Sequence, residues 1–321
     1  MRILTLLFLL NIFITPIEAR SIRIFRYLQT LEGQLFITGY GAECPSLRSE
    51  AQAIRSWSIK LGEEVGEIPP CLCRKEVCRI DLDTIAPQVL KRYFRRTSLS
   101  EGPNCWNTSL RSSGILPYAT HTNGAEIKFW MNSPLCRELE IHEAAQPGDI
   151  IAIRKGQEQQ EVHGFIYLTE NTSFTKNAVY LHTDYILTHP TEVFREFRLR
   201  KQACERIKGM PSIDSPCFNR PYANYFRCSS YQSYFERRRS EPEDRLYQQL
   251  YGLDERLEQF IFDWKGESDS PSFKAIRKEL KKIRAKAKKL RNKSTNEYGD
   301  YFWGTIYHRA DSLEEMIRNL F

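Results

Sequence analysis

Beyond Ile14 the sequence has no apolar run long enough to cross a membrane, which excludes a bundle of spanning helices. It has neither an internal repeat nor a low-complexity tract, which excludes a solenoid and a disordered linker protein. It also lacks an even number of cysteines. The nine are Cys44, Cys71, Cys73, Cys78, Cys105, Cys136, Cys204, Cys217 and Cys228. Cysteines of an exported chain pair, so an odd count flags a free thiol. With 41% hydrophobic, 12% aromatic and 27% charged residues, the composition is that of a globular protein.

The first residues argue for export. Arg2 precedes the apolar run 3–14, and Pro16 and Ala19 follow it. A charged start, a short apolar core and a small residue describe a secretory signal peptide, with cleavage expected near Ala19. The run is too short for an ordinary transmembrane helix; an uncleaved anchor is the alternative. Cleavage would leave 302 residues (321 minus 19), enough for one substantial core and a smaller second unit. Reserving Cys105 as the free thiol leaves eight cysteines for four bridges, although any other single cysteine satisfies the parity equally. Clustering suggests pairs within residues 44–78 and within 204–228. Cys44, Cys71, Cys73 and Cys78 could instead hold zinc, but their spacing is unusual for a zinc knuckle and export favours disulfides.

The stretch around which the chain is organised is Gly102-Pro103-Asn104-Cys105-Trp106-Asn107. A turn ending in Asn before a helical run is a start signal, because Asn caps free N–H groups. Cys105 then lies in the first helical turn, where the dipole and unpaired N–H groups favour a thiolate, the form that acts as nucleophile. The bland alternative is a small buried hydrophobe. Downstream, Pro147-Gly148-Asp149 opens the apolar strand 150–153, and after a polar hairpin comes His163-Gly164-Phe165-Ile166-Tyr167-Leu168.

That order resembles the NlpC/P60 family of papain-like cysteine peptidases. There the nucleophile opens a helix, a Pro-Gly-Asp turn opens the next strand, and a His-containing strand carries the base. The resemblance covers residues 85–190. It departs at the nucleophile, where the family reads Asp-Cys-Ser-Gly and this chain reads Asn104-Cys105-Trp106-Asn107. It implies an α+β fold, with a Cys-bearing helix packed on an antiparallel sheet. It also implies a thiolate–imidazolium pair of Cys105 and His163, with no cofactor and no metal in the chemistry. Backbone N–H groups at the helix start, helped by Asn104, would form the oxyanion hole. A polar residue on the strand after the histidine would orient its ring. Asn177 is the choice, weighed evenly against a plain strand-end role. Thr175 shares its strand face by period two, Lys176 points the other way, and His182 is a distant rival. His121 and His142 fall in loops and take no role.

Around this core, residues 20–80 read as a disulfide-rich N-terminal subdomain with a strand at 34–38 and a helix at 49–60. Residues 81–192 form the core, with helices expected at 81–96 and 124–131. Residues 193–239 are a basic, tyrosine-rich connector. Residues 240–321 form a C-terminal α-helical hairpin, because apolar residues recur at fours and threes over 246–264 and 273–290; 312–321 is a third, short helix. Residues 274–293 hold eleven Lys/Arg and one Glu, net +10 in a chain of net +7. The acidic stretch 240–265, with seven acids, cannot neutralise all eleven, so a basic stripe remains to meet an anionic cell-envelope polymer or lipid. Export argues against nucleic acid. The resemblance to NlpC/P60 implies an exported cysteine peptidase or amidase acting on peptidoglycan stem peptides. The alternatives are an acyltransferase or thioesterase on the same fold, and a non-catalytic envelope-binding or effector protein.

Overall fold

The computed structural model describes residues 25–30, 33–40, 44–97, 102–177, 183–229, 241–263 and 271–320. The signal-peptide segment and His182 lie outside them. Among the described residues the fold is mixed α+β with two antiparallel sheets and four disulfides. Among the described residues no helix is long and apolar enough to cross a membrane.

The first sheet has the order β1-β2-β4-β3, from β1 (Phe25–Gln29), β2 (Leu35–Tyr40), β3 (Leu72–Arg74) and β4 (Val77–Asp81). Helix α1 (Cys44–Lys60) lies on it, burying Leu47, Ala51, Ile54 and Trp57 at helical spacing. Cys44–Cys71 ties the helix start to the residue before edge strand β3, and Cys73–Cys78 cross-links β3 to β4. The four sulfurs lie within 4.8 Å of one another, and their pairing as disulfides takes them out of thiolate ligation of zinc. Residues 81–96 are not one helix. Asp81 ends β4, and Pro87 delays the helix to α2 (Gln88–Tyr93), because the ring fixes φ and suits only a helix start.

The second sheet has the order β5-β10-β6-β7-β8-β9. Its strands are β5 (Cys136–Glu138), β6 (Asp149–Lys155), β7 (Gln160–Tyr167), β8 (Ser173–Lys176), β9 (Tyr185–Thr188) and β10 (Pro221–Cys228). The stretch expected as a connector therefore supplies a strand paired with both β6 and β5, and Cys228 bridges to Cys136 rather than to a neighbour in 204–217. Cys204–Cys217 is local, as the clustering suggests.

The two faces of this sheet carry different cores. Ile150, Ala152 and Ile166 face the main core with Leu110 of α3 (Cys105–Ser112) and Ile127 of α4 (Gly124–Met131). Ile151, Ile153 and Phe165 face α5 (Pro190–Glu196), packing with Val193, Phe194 and Leu199. β6 is buried on both faces and so shows no hydrophobic alternation.

The C-terminal part is three long helices, α6 (Glu241–Asp263), α7 (Pro271–Arg291) and α8 (Glu297–Leu320), not a two-helix hairpin with a short third. Their apolar seams, including Leu250, Leu280, Phe302 and Leu313, join the same core as Trp57 and Ile150. Cations of α7 pair with the last helix: Arg284 with Asp311 and Glu314, Arg291 with Asp300.

Candidate functional site

Asn104 caps α3 as its sequence suggests. Its backbone is extended (φ −99°), and its Oδ1 accepts from Asn107 N at 2.9 Å. Its Nδ2 donates to Thr122 O at 2.7 Å. The side chain thus holds the helix start with its Oδ1 and one of its two Nδ2 hydrogens, a structural role beside the oxyanion role expected of it. Cys105, the first residue of the helix, is partly exposed and is the free cysteine, the other eight being bridged.

The helix start does not make this thiol acidic. Burial pushes its pKa up to about 11, against the N–H groups of Gly164, Trp106 and Cys105 itself and the positive charge of Lys176, all of which favour the thiolate. Desolvation of a charged sulfur outweighs a half-charge dipole here, so the resting group is the thiol.

His163 is not on the Cys105 side of the sheet. Gly164 faces α3: a Cβ there would lie 2.5 Å from Trp106 Cζ3 and 2.9 Å from Ser109 Oγ. Its neighbour on the strand must point the opposite way. His163 pairs in register with Ile153, shares the α5 face with Phe165, and stacks on Phe197 with centroids 3.9 Å apart. It is fully buried, and desolvation pulls its pKa down to about 3. Its Nδ1 has no hydrogen-bond partner. The expected Cys105–His163 ion pair is thus corrected: the sheet lies between the two side chains, and both are neutral.

The residue that touches the imidazole is Thr175, not Asn177. His163 Nε2 and Thr175 Oγ1 are 3.0 Å apart, Thr175 Oγ1 donates to Asn177 Oδ1 at 2.8 Å, and Asn177 Nδ2 donates to Glu196 Oε2. Asn177 is one bond removed, at the end of β8, and ties that strand to α5. Of the loop histidines, His121 is buried beside Arg309 and His142 is exposed.

Lys176, whose neighbour Thr175 bonds His163, points to the other face, as the period-two count requires. That face is the one Cys105 occupies. Lys176 is fully buried, donates from Nζ to Thr183 O at 3.0 Å, and lies 5.7 Å from the Tyr185 ring centroid. Burial lowers its pKa to about 8, opposed by the Cys105 and Asp184 charges. Its type was legible in the sequence; its place beside the thiol follows only once Gly164 is known to face α3.

The Pro-Gly-Asp turn has a structural account. Gly148 has φ +87°, where a side chain is strained, and a Cβ would also meet Lys60 Cδ at 2.8 Å. Asp149, fully buried, pairs with Lys60 (3.2 Å) and Arg227 (2.8 Å), fastening α1 and β10 to the head of β6. Comparisons of the chain with protein-family models, with curated proteins and with solved structures give no match.

Proposed function

We propose that the chain is an exported cysteine hydrolase with a papain-like core of the NlpC/P60 kind, in which Cys105 is the nucleophile and Lys176, not His163, is the charged group beside it. The observation that carries this is the single free thiol, partly exposed at a capped helix start, with the Gly164 N–H and the Lys176 charge acting on its sulfur. A lysine of pKa about 8 is part neutral near neutral pH. Neutral Lys176 takes the Cys105 proton, the thiolate attacks an acyl carbon, and the ammonium returns the proton to the leaving amine. Water then releases the acyl group and regenerates the thiol. The N–H groups around the sulfur are suited to stabilise the oxyanion.

Export after cleavage near Ala19 fits four disulfides, which persist in oxidising compartments. The substrate class, peptide bonds of peptidoglycan stems, rests on the family resemblance alone. The exposed lysines of α7 supply a surface for an anionic envelope polymer or lipid; Lys278, Lys282 and Lys286 line one groove of it.

The test is digestion of purified peptidoglycan, read by mass spectrometry of released peptides, with an amine acceptor present so that acyl transfer is also seen. Wild type and His163→Phe should cleave; Cys105→Ala and Lys176→Met should not. A second reading, a non-catalytic envelope-binding or effector protein, is favoured by the position of His163 on the far face. Cleavage absent from wild type, with envelope binding unchanged in Cys105→Ala, would select it.

A further inference from the structure

Past α5 the chain enters a turn in which Arg198 has φ +62°, and Asn219 has φ +57° in the arm that leads into β10. For Arg198 this left-handed conformation is rare and costs about 1 kcal/mol or more, whereas asparagine tolerates it in turns. The Cys204–Cys217 bridge staples these two arms together. Between them lies a pocket of ≈ 280 Å³ lined by Arg198, Arg200, Lys201, Cys204, Arg220 and Pro221.

Four cations and no acid line this space. Other basic side chains in this half of the molecule are engaged: Arg195 with Glu192, Lys208 with Glu140, Arg227 with Glu143 and Asp149. Among the described residues the side chains of Arg198, Arg200, Lys201 and Arg220 make no ion pair or hydrogen bond. Gathering like charges around one small pocket raises the energy of the empty protein, and an anion bound between them removes that repulsion. Guanidinium groups present forked donors that match phosphate oxygens, and a lysine adds a point charge. The Cys204–Cys217 staple fixes the two backbone arms, and the four exposed cations they carry converge on one pocket with no acid among them.

We propose that this pocket binds a phosphate-bearing anion, a phosphate monoester or diester group, at a site distinct from Cys105. The site needs no thiol chemistry and stands whether or not the chain is a hydrolase.

The probe is inorganic pyrophosphate titrated calorimetrically into the disulfide-intact chain at low ionic strength. Saturable one-to-one binding is expected, weakening with added salt. The double variant Arg200→Gln/Arg220→Gln should lose at least about tenfold in affinity, and Arg200→Lys/Arg220→Lys, which keeps charge but loses the fork, an intermediate amount. The double variant Lys282→Gln/Lys286→Gln on α7 should bind as wild type does. All four altered side chains are exposed, and an unchanged melting curve checks the fold. Vesicles of phosphatidylglycerol identify the source. Recruitment that pyrophosphate competes away assigns a lipid headgroup, whereas pyrophosphate binding without recruitment assigns a soluble phosphate. No saturable binding, or binding lost only in the α7 variant, overturns the proposal.

Discussion

His163 and Phe197 stack face to face, ring centroids 3.9 Å apart and planes 14° from parallel. The stack seats the imidazole between the sheet and the end of α5. The single Thr175 hydroxyl proton goes to Asn177 Oδ1, so Thr175 accepts from His163 Nε2–H, which assigns the tautomer and leaves Nδ1 bare. The imidazole thus packs as an aromatic plate with one polar tie, on the face of β7 that Cys105 does not share.

Stability should therefore depend on pH through this ring. Folded His163 is held at about 3, while an unfolded histidine titrates near 6.5. Above that value neither state is protonated and nothing is lost. As pH falls through 6.5, the unfolded chain binds a proton that the folded chain refuses. Stability then falls by about 1.4 kcal/mol per pH unit until the folded pKa is reached. His121 and His308, each lowered to about 4 by burial, act with the same sign. Urea unfolding at pH 7 and pH 5 should show a loss of roughly 2 kcal/mol from His163 alone. His163→Phe, which keeps the stack, should flatten the slope by one proton; an unaltered slope would show the ring to be accessible.

Cys105 should react as a high-pKa thiol. Alkylation by iodoacetamide without reductant should label Cys105 alone, slowly at pH 7, with the rate still rising above pH 9 towards the value of about 11. Lys176, with a pKa of about 8, is charged only below the rise of this profile, so Lys176→Met should slow labelling near pH 7 and leave the rise above pH 9 in place. His163→Phe should leave it where it is. A profile with a midpoint near 7 that shifts with His163→Phe would restore the imidazole as the partner of the thiol.

Several elements could be read from residues alone. Asn104 before the Cys105 helix acts through a contact three residues away, and the odd cysteine count by itself requires a thiol without a partner in the chain. The face of His163 could not be read the same way. A strand buried on both sides carries no alternation, and a one-residue change of phase exchanges the faces. The register also shifts between Ile153 and Arg154, so counting from the turn fails there. Helix α8 was legible only in its last third, because Arg309 interrupts its apolar stripe as a buried cation whose partners lie far off in sequence.

Gly164 should tolerate no side chain. In Gly164→Ala the new Cβ meets the Trp106 ring at 2.5 Å and Ser109 Oγ at 2.9 Å, and Ser109 is itself tied to Cys105 O at 2.9 Å. Helix and sheet must separate, at a cost of about 1–3 kcal/mol. Denaturant unfolding measures it. Trp106→Leu in the same chain should recover part of the loss, since it opens the space the methyl needs; strictly additive losses would place the strain elsewhere.

Arg309 should be the most sensitive single position on the C-terminal helices. It is fully buried in α8, with Nε 2.9 Å from Asp254 Oδ2 of α6 and Nη1 2.9 Å from Glu126 Oε2 of α4. It also donates to His121 O at 2.6 Å and to Thr120 Oγ1. One guanidinium thus joins two helices of the C-terminal part to the loop that follows the Cys105 helix. Arg309→Met keeps the volume but leaves Asp254 and Glu126 as buried, unpaired acids, which costs about 3–5 kcal/mol. Combining it with Asp254→Asn and Glu126→Gln removes both stranded charges and should recover much of that loss. Urea midpoints of the single and triple variants distinguish the cases. If the triple variant is no more stable than Arg309→Met, the arginine acts by packing rather than by charge, and the ion network is not what fastens α6 and α8 to the core.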